Sequence, residues 1–267
     1  MASDVVKRST SAKSQTIERA ALILACFRAE KNHFTLAELA EKLGLHQSTV
    51  YRYVTTLQRA GLLSRDERHG GYRLGLRVIE LANVGLNQLE VRKQALDEMD
   101  RLRDSLDMLI SLGVLFEGDV LHVAHAVPKE WPRWAMTEGR RAVAHCTSLG
   151  KVLLAHSPMD VVHATIEEYG WRPYTPHSIH DFGRLAVALA EVREHGYALD
   201  QEERRLGLCC VGAPIRDHTG TVIAALSISS KAERLMPVLE DRGLPLLREA
   251  ADRISFRLGY QSSSAYL

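Results

Sequence analysis

A helix start, a glycine stop and a second helix follow one another within about 25 residues near the N-terminus, and few folds accommodate that order. Thr35 precedes an apolar-periodic stretch, and Glu38 stands three residues on. A hydroxyl and a carboxylate at that spacing satisfy the free N–H groups of a helix start. The helix runs through Leu36, Leu39, Ala40 and Leu43 and stops at Gly44, since glycine adopts the left-handed conformation that ends a helix. After Leu45 a third helix extends from His46 or Ser48 to Ala60, with Val50, Tyr53 or Val54, and Leu57 on its apolar side, and Gly61 closes it. Ala40 is small where the two helices cross, Leu45 plugs the gap, and Val50 locks one helix onto the other. This is the helix-turn-helix pattern, expected as a DNA-binding unit rather than a plain helical hairpin.

The outer face of the third helix carries Gln47, Ser48, Tyr51, Arg52 and Thr55. None is acidic and each can form hydrogen bonds. Arg pairs bidentately with guanine and Gln with adenine, whereas hydroxyls suit phosphates. Thr49, beside them, joins the candidate DNA-contacting set. Leu62–Ser64 and Tyr72–Leu74 flank a turn containing Gly70-Gly71, which predicts a β-hairpin wing with Arg68 and His69 at its tip. Upstream, Ile17, Ala20, Ala21, Leu24 and Phe27 give a first helix with one buried stripe, broken by Asn32, His33 and Phe34. Residues 1–13 read as a mobile arm.

Charge agrees with this division. Residues 1–73 hold 12 Lys+Arg against 7 Asp+Glu, a net of +5, and residues 74–267 hold 22 against 26, a net of −4. A basic head on an acidic body suits a polyanionic partner for the head. The 46% hydrophobic and 25% charged content excludes wholesale disorder. The longest apolar run, Ala20 to Phe27, has eight residues, against the roughly 18 needed to cross a bilayer. The N-terminus lacks the apolar core of a secretory signal, and four cysteines show no disulfide framework. A cytoplasmic protein with no membrane partner is expected.

Leu76, Ile79, Leu81, Ala82, Val84 and Leu86 predict a linker helix too apolar for free solvent. It needs the body or a second chain as a partner. Specific DNA binders commonly pair two units across half-sites, so a homodimer is expected, with the first and linker helices as contacts. A further helix over Leu89–Leu106 has apolar positions at Leu96, Met99, Leu102 and Leu106. Beyond it, hairpin strands over Leu109–Phe116 and Val120–Val127 are expected, with a possible strand over Arg133–Thr137 and a loop over Gly139–Ser148. Helices are expected from Leu149, over Met159–Tyr169 and over Phe182–His195. Strands over Tyr197–Asp200, Leu208–Ile215 and Val222–Ser229 precede a helical tail interrupted by Gly243 and Pro245. Antiparallel strands with packed helices make an α+β sensor-like domain.

These motifs together resemble the IclR-type transcriptional regulators. The head resembles them in residues 35–40 (TLAELA), 48–52 (STVYR) and 72–75 (YRLG). The body does so in residues 148–151 (SLGK), 196–203 (GYALDQEE), 210–215 (CVGAPI) and 225–229 (ALSIS). The departures are His46 for a frequent proline, Cys146 and Gly212 for frequent alanines, and an extra Cys209. The resemblance implies a winged helix-turn-helix over residues 14–74, a linker helix over 75–90 and a GAF-like effector-binding domain over 91–267. It also implies dimers, often paired into tetramers.

The loop entering a helix at Thr147-Ser148-Leu149 presents free backbone N–H groups, a natural anion site. In proteins that the chain resembles, the matching loop holds a small carboxylate, and Asp200, Cys210, Ser227 and Ser229 match the remaining polar pocket positions. The resemblance therefore implies an organic-acid effector, no cofactor and no catalysis. Trp131, Pro132, Arg133 and Trp134 form an aromatic-cationic patch that either widens the pocket toward aromatic acids or serves packing. His122 and His125, three apart on a strand, are expected on opposite faces and so make a poor metal pair. The other readings are a zinc- or Cys210-dependent small-molecule enzyme and a ligand-free architectural DNA binder.

Overall fold

The computed structural model describes residues 15–28, 31–129, 131 and 137–261. The arm expected over residues 1–13, the strand expected from Arg133, and Pro132, Arg133 and Trp134 lie outside them. The chain divides into two compact units, Met1–Gly85 and Leu86–Leu267.

In the first unit, α1 (Gln15–Ala25), α2 (Leu36–Leu43) and α3 (Gln47–Arg59) enclose a core of Ile23, Phe27, Phe34, Leu39, Val50, Val54 and Leu57. The Thr35 hydroxyl accepts from the Glu38 N–H at 3.2 Å, and the Glu38 carboxylate accepts from the Thr35 N–H at 2.8 Å. Gly44, at φ 62°, ends α2 by donating its N–H to the carbonyls of Ala40 and Glu41. Two expectations need correction. The break at His33-Phe34 is a strand, β1, which pairs with β3 (Tyr72–Leu74), and β3 in turn pairs with β2 (Leu63–Arg65). The tight fit requires Gly71, where a Cβ would stand 2.4 Å from the Phe34 carbonyl oxygen. Second, α1 buries Ile23 together with Cys26 and Phe27 just beyond it, and leaves Ile17, Ala21 and Leu22 exposed. The helix is apolar on more than one side, so periodicity alone could not choose the inward face. Helix α4 (Leu76–Gln88) buries none of its residues, and Leu76, Ile79, Leu81 and Val84 are all exposed.

The second unit is built on a six-stranded antiparallel sheet of order β6-β5-β4-β9-β8-β7. Its strands are β4 (Leu109–Phe116), β5 (Asp119–Ala126), β6 (Arg141–Val143), β7 (Ala198–Gln201), β8 (Leu208–Arg216) and β9 (Val222–Lys231). Strand β6 falls where a loop was expected, and pairs with β5. Successive side chains alternate between the two faces. Ala224, Leu226 and Ile228 of β9 and Val211, Ala213 and Ile215 of β8 join a core with α5 (Glu90–Leu106) and α10 (Leu244–Arg257). Ala225 turns to a second core with α6 (Ser148–Ala155), α7 (Met159–Tyr169) and α8 (Phe182–His195). Ser227 and Ser229 share the Ala225 side.

Helix α5 also corrects its expected stripe. Leu96 is exposed, and Glu98 is fully buried instead. The Glu98 carboxylate accepts from Arg101 at 2.8 Å, Arg253 at 2.8 Å and Arg257 at 2.6 Å, so its charge is balanced by residues of α5 and α10. The tail continues from α9 (Ala232–Leu235) through a 3₁₀ turn and a π turn into α10. Pro245 lies in the first turn of α10, where its missing N–H costs no helical bond.

Candidate functional site

Two regions carry candidate chemistry, one on each unit. On the first, Gln47, Ser48, Tyr51 and Arg52 of α3 are exposed, while Thr49 and Thr55 are half-buried and so present less outward surface than expected. No acidic residue lies in α3, and its cap, His46, makes no side-chain hydrogen bond to the first turn. The N–H groups there keep their capacity for an anion. Arg68 is exposed in the wing turn. Asp66 organises that turn, its carboxylate accepting from the N–H groups of Arg68 at 3.1 Å and His69 at 3.2 Å and facing the His69 ring at 3.0 Å. The His69 contact leads in holding the Asp66 carboxyl below its ordinary range.

On the second unit a cavity of about 320 Å³ opens between the sheet and the start of α6. Thr147, Ser148, Leu149, Asp200, Cys210, Ser227 and Ser229 all line it. Thr147 caps α6 through its hydroxyl, which accepts from the Gly150 N–H at 3.2 Å, so the N–H groups of Ser148 and Leu149 lack intrahelical acceptors. Two glycines bring this turn down onto neighbouring backbone. A Cβ on Gly150 would lie 2.2 Å from the Ala144 carbonyl oxygen, and one on Gly212 would lie 3.0 Å from the Ser148 carbonyl carbon.

Asp200 is 1% exposed, and burial raises its carboxyl to about 6, with the charge of Glu203 adding to the effect. Its Oδ1 accepts from the Glu203 N–H at 2.8 Å. Beneath it, Glu203 forms a buried ion pair with Lys151, the lysine of the residue 148–151 motif. Burial and Asp200 push the Cys210 thiol upward, which disfavours the thiolate that a cysteine nucleophile needs. Among the described residues no group of three or more His, Cys, Asp or Glu could hold a metal ion, and no helix is long and apolar enough to cross a membrane.

The sequence reasoning missed His122, His125 and Ser111, which also line the cavity. It placed the two histidines on opposite faces. The structure stacks their rings, with centroids 4.9 Å apart. The cause is a β-bulge: Gly113 pairs with His122 and Leu112 with Ala124, so Val123 is an extra residue on β5. An extra residue reverses the alternation and returns His125 to the face of His122. The Ser111 hydroxyl lies 2.9 Å from His125 Nδ1, whereas His122 Nδ1 is buried without a hydrogen-bond partner among the described residues.

Residues 16–67 match the family description "IclR helix-turn-helix domain", and residues 84–256 match "Bacterial transcriptional regulator IclR C-terminal". The chain is 30% identical over 246 residues to the HTH-type transcriptional regulator XynR of Escherichia coli, covering 92% of this chain and 98% of that protein. It is 32% identical over 238 residues to the p-hydroxybenzoate hydroxylase transcriptional activator of Acinetobacter baylyi, covering 87% of each. Among solved structures, an IclR homolog from Microbacterium hydrocarbonoxydans complexed with 4-hydroxybenzoate is similar, with a TM-score of 0.77 and 28% identity over 91% of this chain and 98% of that one.

Proposed function

The chain belongs to the IclR family of bacterial transcriptional regulators, and from that premise we infer how its two candidate sites divide the work. It is a DNA-binding transcriptional regulator with an effector-binding C-terminal domain, in a family of regulators and not of enzymes. In our reading Gln47, Ser48, Tyr51 and Arg52, flanked by Thr49 and Thr55, enter the major groove, and Arg68 of the wing touches backbone. The absence of acidic residues from α3 and its uncapped first turn support that placement.

The observation that carries the effector reading is that polar residues from the start of α6 and from β7, β8 and β9 line one cavity. A carboxylate would accept from the N–H groups of Ser148 and Leu149, with Ser227, Ser229 and Cys210 completing its shell and Asp200 meeting a ligand hydroxyl or its own proton donor. The relative whose structure holds 4-hydroxybenzoate makes aromatic acids the first candidates. Two copies of the chain would pair through the exposed apolar residues of α1 and α4, removing Ile17, Leu22, Leu76 and Ile79 from water. Pairs of dimers are a further step of the same kind. The effector would act by binding better to one arrangement of the paired heads, with a coupling of about 1–3 kcal/mol.

Calorimetry of the full chain against a panel of small carboxylic and aromatic acids tests the cavity. Heat from at least one acid, lost in Ser227→Ala, is the expected result. Heat that survives both Ser227→Ala and Asp200→Ala places the site elsewhere. A gel-shift titration on duplex from its own promoter region, with and without the acid that binds, tests the coupling.

A further inference from the structure

We propose that His122 and His125 form the distal pole of the effector cavity and read an uncharged hydroxyl, so that the effector is an aromatic hydroxy acid with one carboxylate at the α6 end. This rests on the carboxylate reading above and adds the second end of the ligand.

The strand ladder fixes the layout. His125 pairs with Ser111, Ser111 with Ser227, and Ser227 with Gly212. Gly212 is the residue whose missing Cβ admits the Ser148 backbone. The row therefore crosses four strands, from a histidine to the first turn of α6. Three strand spacings amount to about 14 Å. The imidazole takes part of that span, which leaves room for one ring with a substituent at each end. Trp131 and the stacked imidazoles supply flat surfaces, and Leu109, Ala142, Leu149 and Leu208 supply apolar ones. A planar aromatic acid matches such walls.

The second substituent is identified by the chemistry of the pole. His122 Nδ1 is a buried polar atom with no partner among the described residues. Such an atom carries a desolvation penalty until a ligand or water meets it. The two rings stack at 4.9 Å, so two imidazolium charges there would repel. Burial, the neighbouring His125 and the Arg140 charge take His122 down to about 3, and burial leads in lowering His125, opposed by Glu138. Neutral imidazoles donate and accept but bring no charge to balance a second carboxylate. Two of the guanidiniums at the rim are engaged by other groups. Arg141 is bonded to Glu117 and lies near Asp119, and Arg204 lies 3.5 Å over the Tyr174 ring. Arg205 is exposed.

The test uses calorimetry on the full chain with benzoate, 4-hydroxybenzoate and benzene-1,4-dicarboxylate. The wild-type chain is expected to bind 4-hydroxybenzoate about two- to tenfold more tightly than benzoate, the worth of one neutral hydrogen bond, and the dicarboxylate more weakly than benzoate. His122→Phe keeps a flat ring over His125 but removes the nitrogens. It should level the first two acids while benzoate binding persists. His122→Leu repeats the deletion in case the phenyl ring does not fit, and the retained benzoate heat reports a folded cavity. A hydroxyl preference unchanged in these variants, or a wild-type preference for the dicarboxylate, overturns the proposal and leaves the carboxylate reading standing. If none of the three acids binds the wild-type chain, the aromatic hydroxy acid is overturned, and the carboxylate reading stands or falls with the wider panel of acids above.

Discussion

The two units treat polar groups in opposite ways. Every buried polar or charged side chain among the described residues lies in the body, from Glu98 onward, and the head has none. The head buries Ile23, Phe34, Leu39, Val50 and Val54 and keeps Arg52, Gln47 and Arg68 outside. Its chemistry is displayed on a surface that DNA can reach, so the core needs only apolar fit. The body keeps Asp200, Lys151, Glu203, Ser227 and Ser229 inside. A ligand enclosed by protein must be met by interior polar groups, and each of these must be matched when the ligand is absent. The head therefore separates stability from function, whereas the body couples them.

The largest effect that could break this contrast is at Lys151. Lys151→Met leaves the Glu203 carboxylate uncompensated in the interior, and removal of one partner of a buried pair costs about 3–5 kcal/mol. Denaturant unfolding followed in the body should report that loss, and Glu203→Leu in the same chain should restore most of it. A loss below about 1 kcal/mol would mean that the pair is hydrated and that the body tolerates an unmatched interior charge.

Arg52→Ala sharpens the contrast from the other side. Operator affinity should fall by about 1–3 kcal/mol at fixed salt, while the unfolding midpoint should move by less than about 0.5 kcal/mol, since the side chain is exposed. Equal losses of affinity on operator and random duplex would assign Arg52 to phosphate instead of a base.

The body should also carry a pH signature. Asp200 titrates near 6 in the folded chain against an ordinary 3.8. With the folded value raised, its contribution is greatest below about 3.8, where the carboxyl is protonated in both states, and is lost as pH rises through about 6. Asp200→Asn keeps an oxygen for the Glu203 N–H. It should be more stable than the wild-type chain by on the order of 2 kcal/mol above pH 7, and the two should converge near pH 4. Parallel stability curves across that window would show that Asp200 is solvated.

The smallest effect concerns the head's own local order. Thr35→Ala removes the hydroxyl that caps α2 and should cost about 1 kcal/mol. That loss should leave acid binding by the body unchanged. A drop in both would mean that the two units are not energetically separate.

Much of the head could be read directly from the chain because its signals are local. A capping box spans four residues, a glycine stop is a single residue, and the apolar stripe of α3 repeats within one helix. Where that local signal was ambiguous the reading failed, as at α1, which has apolar residues on several sides, and at β1, whose two residues are a strand only because β3 pairs with them. In the body, the two-residue period of a strand puts Ser227 and Ser229 of β9 on one face. The anion site at Thr147-Ser148-Leu149 is legible as a helix start, whereas the resemblance supplied Asp200, Cys210, Ser227 and Ser229 as its companions.

The chain by itself determined the helices and the longer strands, the reading helix with its outward Arg52, and the division of charge between head and body, because helix caps and side-chain periods act over a few residues. Only tertiary structure decided that Val123 bulges and brings His122 beside His125, that Glu98 turns inward to arginines from α10, and that Lys151 meets a carboxylate 52 residues away. Register and buried charge are settled by the partner strand and the partner side chain, and neither is visible until distant parts of the chain have come together.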